Sequence, residues 1–64
     1  MTAEKSYTVH EFAEAERISR AFVYKLWGEG EGPRYYTLGN RRRITESARQ
    51  EWHRAREAAS EGRR

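Results

Sequence analysis

Arg34-Tyr35-Tyr36-Thr37-Leu38-Gly39-Asn40-Arg41-Arg42-Arg43-Ile44 is the stretch on which the reading of this chain turns. Two short runs of strand-forming residues flank a glycine turn, the pattern of a β-hairpin. Four arginines fall within these eleven residues and no acid is among them. Two helical patterns precede the hairpin and a third follows it. That order predicts a mainly α fold with a small β-hairpin: helix–turn–helix, a basic hairpin wing, then a last helix.

Hairpin register decides which arginines face outward. A two-residue turn at Gly39-Asn40 pairs Leu38 with Arg41 and sets Leu38 on the face of Arg41 and Arg43. A three-residue loop, Gly39-Asn40-Arg41, instead gathers Tyr36, Leu38, Arg42 and Ile44 on one face and turns Tyr35, Thr37 and Arg43 outward. A slip of one residue exchanges the faces, so apolar grouping favours the three-residue loop. Arg41 is then at the tip and Arg43 on the solvent side. Arg42 lies on the core side, where its aliphatic stem can cover aromatic surface.

Upstream, Thr8-Val9-His10-Glu11 reads as a capping box. Val9, Phe12 and Ala13 give the first helix one apolar face, and that helix is expected to stop near Glu16. Ser19 is a good N-cap for a second helix that buries Val23, Leu26 and Trp27. It presents Ala21 and Lys25, with Arg20 and Tyr24 on one flank and Phe22 on the other. Gly28-Glu29-Gly30-Glu31-Gly32-Pro33 ends it; the glycines supply positive-φ positions, and the two glutamates argue against a phosphate cradle. Downstream, Thr45 caps a last helix whose apolar stripe is Ala48, Trp52, Ala55 and Ala59. The remaining faces of that helix are arginine and glutamate. The domain is expected over residues 8–59, between a flexible N-terminus at 1–7 and a frayed C-terminus at 60–64.

Composition narrows the function. At 64 residues with no cysteine, the chain has a small core and no disulfide to reinforce it, so a buried catalytic cleft is not expected. Aspartate is absent and there are two histidines, far apart in sequence. No metal site, cofactor or nucleophile–base pair is predicted. Neither a signal-like segment nor an apolar stretch of about 18 residues appears, which predicts a cytoplasmic protein away from membranes. The net charge of +3 is unevenly spread. Residues 1–32 carry four cations against six glutamates, whereas residues 33–64 carry nine arginines against four. A basic half centred on a hairpin points to a polyanion, and double-stranded DNA is the usual one.

In such a module the second helix reads bases and the hairpin grips the backbone. Ser19 and the free N–H groups behind it can bind a phosphate. Arg20 can make a bidentate pair to guanine, worth roughly 1–3 kcal/mol of discrimination. Ala21, Phe22, Tyr24 and Lys25 complete the helix surface, with Tyr24 and Lys25 able to hold phosphates and Phe22 able to meet a thymine methyl or a neighbouring protomer. On the wing, Asn40, Arg41 and Arg43 can enter a minor groove. Arg42 and Arg34 are further candidates, with pairing to Glu29 or Glu31 an equal alternative for Arg34. Trp27, Trp52, Phe12 and Tyr36 read as core. Tyr35, outward beside arginines, is the one aromatic suited to stacking on a base. His10 and His53 read as solvent-exposed.

Several of these segments also carry a family resemblance. Thr8-Val9-His10-Glu11-Phe12-Ala13, Ile18-Ser19-Arg20, Val23-Tyr24-Lys25-Leu26-Trp27, Gly32-Pro33-Arg34-Tyr35, Gly39, Arg41-Arg42-Arg43-Ile44 and Trp52 together resemble the excisionase group. These are MerR-like winged helix-turn-helix proteins of phages and mobile elements, close to the AlpA-like regulators. The resemblance implies a second helix in the major groove and a wing in the minor groove. It further implies head-to-tail copies on direct repeats, DNA bending, and an integrase partner directed toward excision. Two positions depart from the pattern. Glu16-Arg17 replaces the usual leucine-glycine before the second helix, and Phe22 replaces a common threonine within it. An AlpA-like regulator acting at a promoter is the alternative, and an antitoxin or protein-interaction module with an acidic partner is a second.

Overall fold

The computed structural model describes residues 4–61. Each helix begins where a side-chain oxygen can receive its first free N–H groups. Thr8 caps α1 (Val9–Glu16): its Oγ1 accepts from the Glu11 N–H at 3.0 Å, and the Glu11 carboxylate accepts from the Thr8 N–H at 3.0 Å. Ser19 caps α2 (Arg20–Gly28) by accepting from the Phe22 N–H at 3.0 Å. Thr45 does the same for α3 (Glu46–Glu61), accepting from the Ala48 N–H at 3.1 Å. All three starts fall where the sequence places them, because a cap is a local device.

Helix α1 stops at Glu16 because Arg17 turns left-handed, with φ 61° and ψ 41°. Its N–H donates to the Ala13 and Glu14 carbonyls. Glycine ordinarily takes this position, since a Cβ crowds the backbone there. Arg17→Gly is therefore expected to raise stability by about 1 kcal/mol, lifting the melting temperature by roughly 4–8 °C. Thermal circular dichroism checks this, and an unchanged midpoint would mean that the turn holds no strain.

Three short strands, β1 (Ser6–Thr8), β2 (Tyr36–Leu38) and β3 (Arg41–Thr45), form an antiparallel sheet in the order β1-β3-β2. Residues 1–7 are expected to be flexible; over residues 4–7, the described part of that segment, the chain is instead tied to the domain, with Ser6 and Tyr7 in a strand. Tyr7 is buried opposite Ile44, the Glu46 N–H donates to the Lys5 carbonyl at 2.8 Å, and the Glu4 carboxylate accepts from the Ser47 N–H at 2.5 Å. A three-residue strand is too short for periodicity to reveal, and only the open edge of β3 makes it one. Residues 1–3 lie outside the described part of the chain, as do 62–64. Ser60 and Glu61, expected to fray, continue α3.

Register is the second correction. Leu38 pairs with Arg41, Thr37 with Arg42 and Tyr36 with Arg43, so the turn is the two-residue Gly39-Asn40 and not a three-residue loop. Gly39 has φ 67° at the first turn position, as a type II′ turn requires. Tyr36 and Leu38 consequently lie on the outer sheet face, 43 % and 62 % exposed, and Tyr36 is not core. The core side of the sheet is filled from β1 instead: Tyr7 stands beside Ile44, which is fully buried. With that seat occupied, apolar grouping within the hairpin no longer sets its parity.

Around Ile44 the core gathers Tyr7, Val9, Phe12, Ala13, Val23 and Ala48, with Ile18, Trp27 and Trp52 packed against its margin. Trp52 meets Phe12 edge-on at 5.4 Å and donates its Nε1–H to the Glu31 carbonyl at 2.8 Å. The stripe expected along α3 is only partly used. Ala48 is buried and Trp52 half-buried, but Ala55 and Ala59 are exposed, because the last turns of α3 run beyond the buried core. Glu16 ties α1 to α3, accepting from Arg49 Nε at 2.6 Å and sitting 2.8 Å from His53 Nε2. Burial pushes the Glu16 carboxyl up, but the His53 and Arg49 hydrogen bonds outweigh it and hold the group below the usual glutamate value. The result is a mainly helical α+β fold of three helices and one small sheet. Among the described residues no helix is long and apolar enough to cross a membrane.

Candidate nucleic-acid interface

The two faces of α2 divide as its spacing predicts. Val23 and Leu26 are buried and Trp27 half-buried, whereas Arg20, Ala21, Phe22, Tyr24 and Lys25 are exposed. Ser19 Oγ is already engaged by the Phe22 N–H, so an incoming phosphate would meet the remaining free N–H groups of that turn. Arg20 and Tyr24 from α2 share one open groove with Asn40, Arg41 and Arg42 of the hairpin. Val9 and His10 at the start of α1 close its third side.

The arginines separate by what they already hold. Arg34 donates from Nε to Glu51 at 2.6 Å, which corrects the expected partners Glu29 and Glu31 and anchors Arg34 to α3. The Glu51 hydrogen bond and charge also raise the Arg34 pKa further above its ordinary value. Glu31 pairs with Arg56 at 3.0 Å, and Arg49 holds Glu16. Among the described residues, Arg20, Lys25 and Arg41 make no ion pair. Those three are exposed cations without an acidic partner among the described residues, whereas Arg34, also exposed, already pairs with Glu51.

Arg42 lines the groove but is built into the fold. Its guanidinium lies 4.7 Å from the Tyr35 ring, 4.9 Å from Trp27 and 5.3 Å from Tyr24. Such contacts are worth on the order of 0.5–1 kcal/mol at exposed sites. Tyr35 is exposed and lies beside an arginine, as expected, but its ring also packs at 4.7 Å against Trp27 beneath Arg42, a contact the sequence does not show. The long-range stack explains the difference: its rings come from α2 and from the chain entering β2. Arg43 faces away from the core, as expected, but is half-buried in the middle strand. Its Nη2 donates to Ser6 Oγ at 3.1 Å, and its Nε is buried without a partner. It is less available than Arg41, again because β1 is there.

Trp27 fixes the base of the hairpin relative to α2. Its Nε1–H donates to the Pro33 carbonyl at 2.8 Å, and its ring lies edge-to-face with Tyr24 at 5.3 Å. Gly32 makes this packing possible in a way the sequence does not show. Gly30 has the expected positive φ, but Gly32 does not; it is glycine because the indole covers it. A Cβ there would lie 2.4 Å from Trp27 Cδ1 and 2.8 Å from Nε1. Gly32→Ala is expected to cost roughly 1–3 kcal/mol as the ring is forced aside. Urea unfolding followed by tryptophan fluorescence measures it, and an unchanged midpoint would show the ring free to yield.

Two features of the interface escape the sequence reading. His10 borders the groove beside Arg20 while pairing with Glu14 at 3.3 Å; its place one residue into the capped helix is the only available signal. Leu38 stands exposed beside the tip, where parity had assigned it to the core. Comparison with known proteins finds no matching family model, no similar curated protein and no similar solved structure.

Proposed function

We propose that this chain is a sequence-specific, double-stranded DNA-binding architectural protein, working as a winged helix-turn-helix without catalysis. In this reading α2 enters the major groove and the β2–β3 hairpin enters the adjacent minor groove. The observation that carries it is the shared groove in which Arg20 and Tyr24 of one element meet Asn40 and Arg41 of the other. Unpaired cations on both sides of one concavity suit a phosphate backbone, and from Pro33 to Thr45 the chain contains no acid to oppose it.

The resemblance to excisionases extends the reading to a role: bending attachment-site DNA and directing an integrase toward excision. Smooth bending of a short site costs on the order of 1–6 kcal/mol. A domain this small has few contacts with which to offset that cost, so several copies binding cooperatively on repeated sites fit the role. The solvent-exposed last turns of α3 are a surface for contacts between copies. Footprinting on the attachment site and promoter of the source element is the test. Protected repeats beside an integrase core site support excision, and protection confined to a promoter supports AlpA-like regulation. Affinity that fails to fall steeply with salt, or fails to prefer specific over random duplex, overturns DNA recognition altogether.

A further inference from the structure

The hairpin carries a residue that a simple phosphate clamp has no use for. Leu38 is the most exposed large hydrophobic side chain among the described residues, at 62 %, and it takes no part in the core. The two-residue turn places it directly before Gly39 and directly opposite Arg41, on the sheet face turned away from the core. Tyr36 continues the same face behind it. The end of the hairpin thus presents an isobutyl group directly across the strands from Arg41, one residue before the Gly39-Asn40 turn. Lysine would serve an ionic grip on phosphate better, and a hydroxyl a hydrogen-bonded one.

Resting on the DNA-binding reading, we infer that Leu38 is a wedge that enters a base-pair step from the minor groove and unstacks it. The minor groove is about 6 Å wide and the strands of a hairpin lie about 4.8 Å apart, so a tip bearing a large side chain must widen the groove or insert into the stack. Leucine is among the apolar side chains that insert between bases and kink DNA toward the major groove. Arg41, on the cross-strand neighbour, is placed to hold the groove wall or a phosphate beside the opened step. Flexible pyrimidine–purine steps are the expected target, because they unstack most readily. The wedge gives a small protein a local kink in place of a smooth bend.

The full chain is tested on short duplexes selected from a randomised pool by the wild type. Each duplex carries a fluorescent adenine analogue, quenched by stacking, at successive steps, and a dye pair on its ends. At saturating protein the wild type is expected to brighten the analogue at one step and to shorten the end-to-end distance. Leu38→Ala is expected to lose both signals, and Leu38→Met to keep them. Circular dichroism of each variant confirms that the fold is intact. Equal brightening and bending by Leu38→Ala overturns the wedge, as does a wild-type complex in which every step stays stacked. A change confined to self-association of the free protein also overturns it, reassigning Leu38 to a protein contact. Failure of the wild type to select any duplex is a different result, and it removes the DNA-binding reading itself.

Discussion

Phe12→Ala is expected to leave the domain largely unfolded at physiological temperature. Phe12 is fully buried at the centre of the core and meets the Trp52 ring edge-on. Removing a buried phenyl group typically costs about 3–5 kcal/mol, from lost transfer free energy and the cavity left behind. A single core in a chain this short supplies about 3–5 kcal/mol of net stability, with no disulfide to add to it. The two quantities are equal in size, so the change removes most of the margin. Circular dichroism should show a broad, non-cooperative melt, with reduced helical signal before heating begins. A sharp transition within a few degrees of the wild type would mean that Val23, Ile44 and Ala48 can collapse into the vacated space.

Arg20→Ala and Arg41→Ala are expected to weaken duplex binding in different ways. Arg20 stands in the first turn of α2, where a helix lying in the major groove meets base edges. Its loss should cost roughly 1–3 kcal/mol, about 5- to 150-fold in affinity, and relax the preference at one base position. Arg41 opens β3 beside the turn and makes no ion pair among the described residues. Its loss should weaken all duplexes by similar factors and flatten the salt dependence by about one ion. Binding curves at several salt concentrations, on the selected and on a scrambled duplex, separate the two patterns. Identical behaviour would contradict the division into a reader and a clamp.

What the sequence discloses about this fold follows the range of the forces involved. Thr8, Ser19 and Thr45 each act on a backbone group three residues away, so their roles can be read from a short window. The buried face of α2 is equally local in its pattern. The hairpin parity is not, since it depends on Tyr7, far upstream, occupying the place beside Ile44 that Tyr36 and Leu38 would otherwise compete for. Arg42 and Tyr35 follow the same rule: their stack is assembled from α2, the chain entering β2, and β3. Arg34 chooses Glu51 on α3 over the two glutamates near it in sequence. The partners that Arg34 and Arg43 take, Glu51 and Ser6, lie on distant elements and are not legible in a short window, whereas Arg20, Lys25 and Arg41 make no ion pair among the described residues.

The first strand also sets the limits within which this module can be transplanted. Cut the chain before Thr8 and β3 loses Ser6 and Tyr7 as partners and becomes an edge strand, leaving an isolated hairpin of the kind that is at best marginally stable in water. The same cut opens the seat of Ile44 to solvent and removes both upstream groups that receive the first N–H groups of α3, the Lys5 carbonyl and the Glu4 carboxylate. A fusion or graft that begins at the capping box, where the first helix starts, would therefore carry α2 without a properly held hairpin. The portable unit begins no later than Glu4.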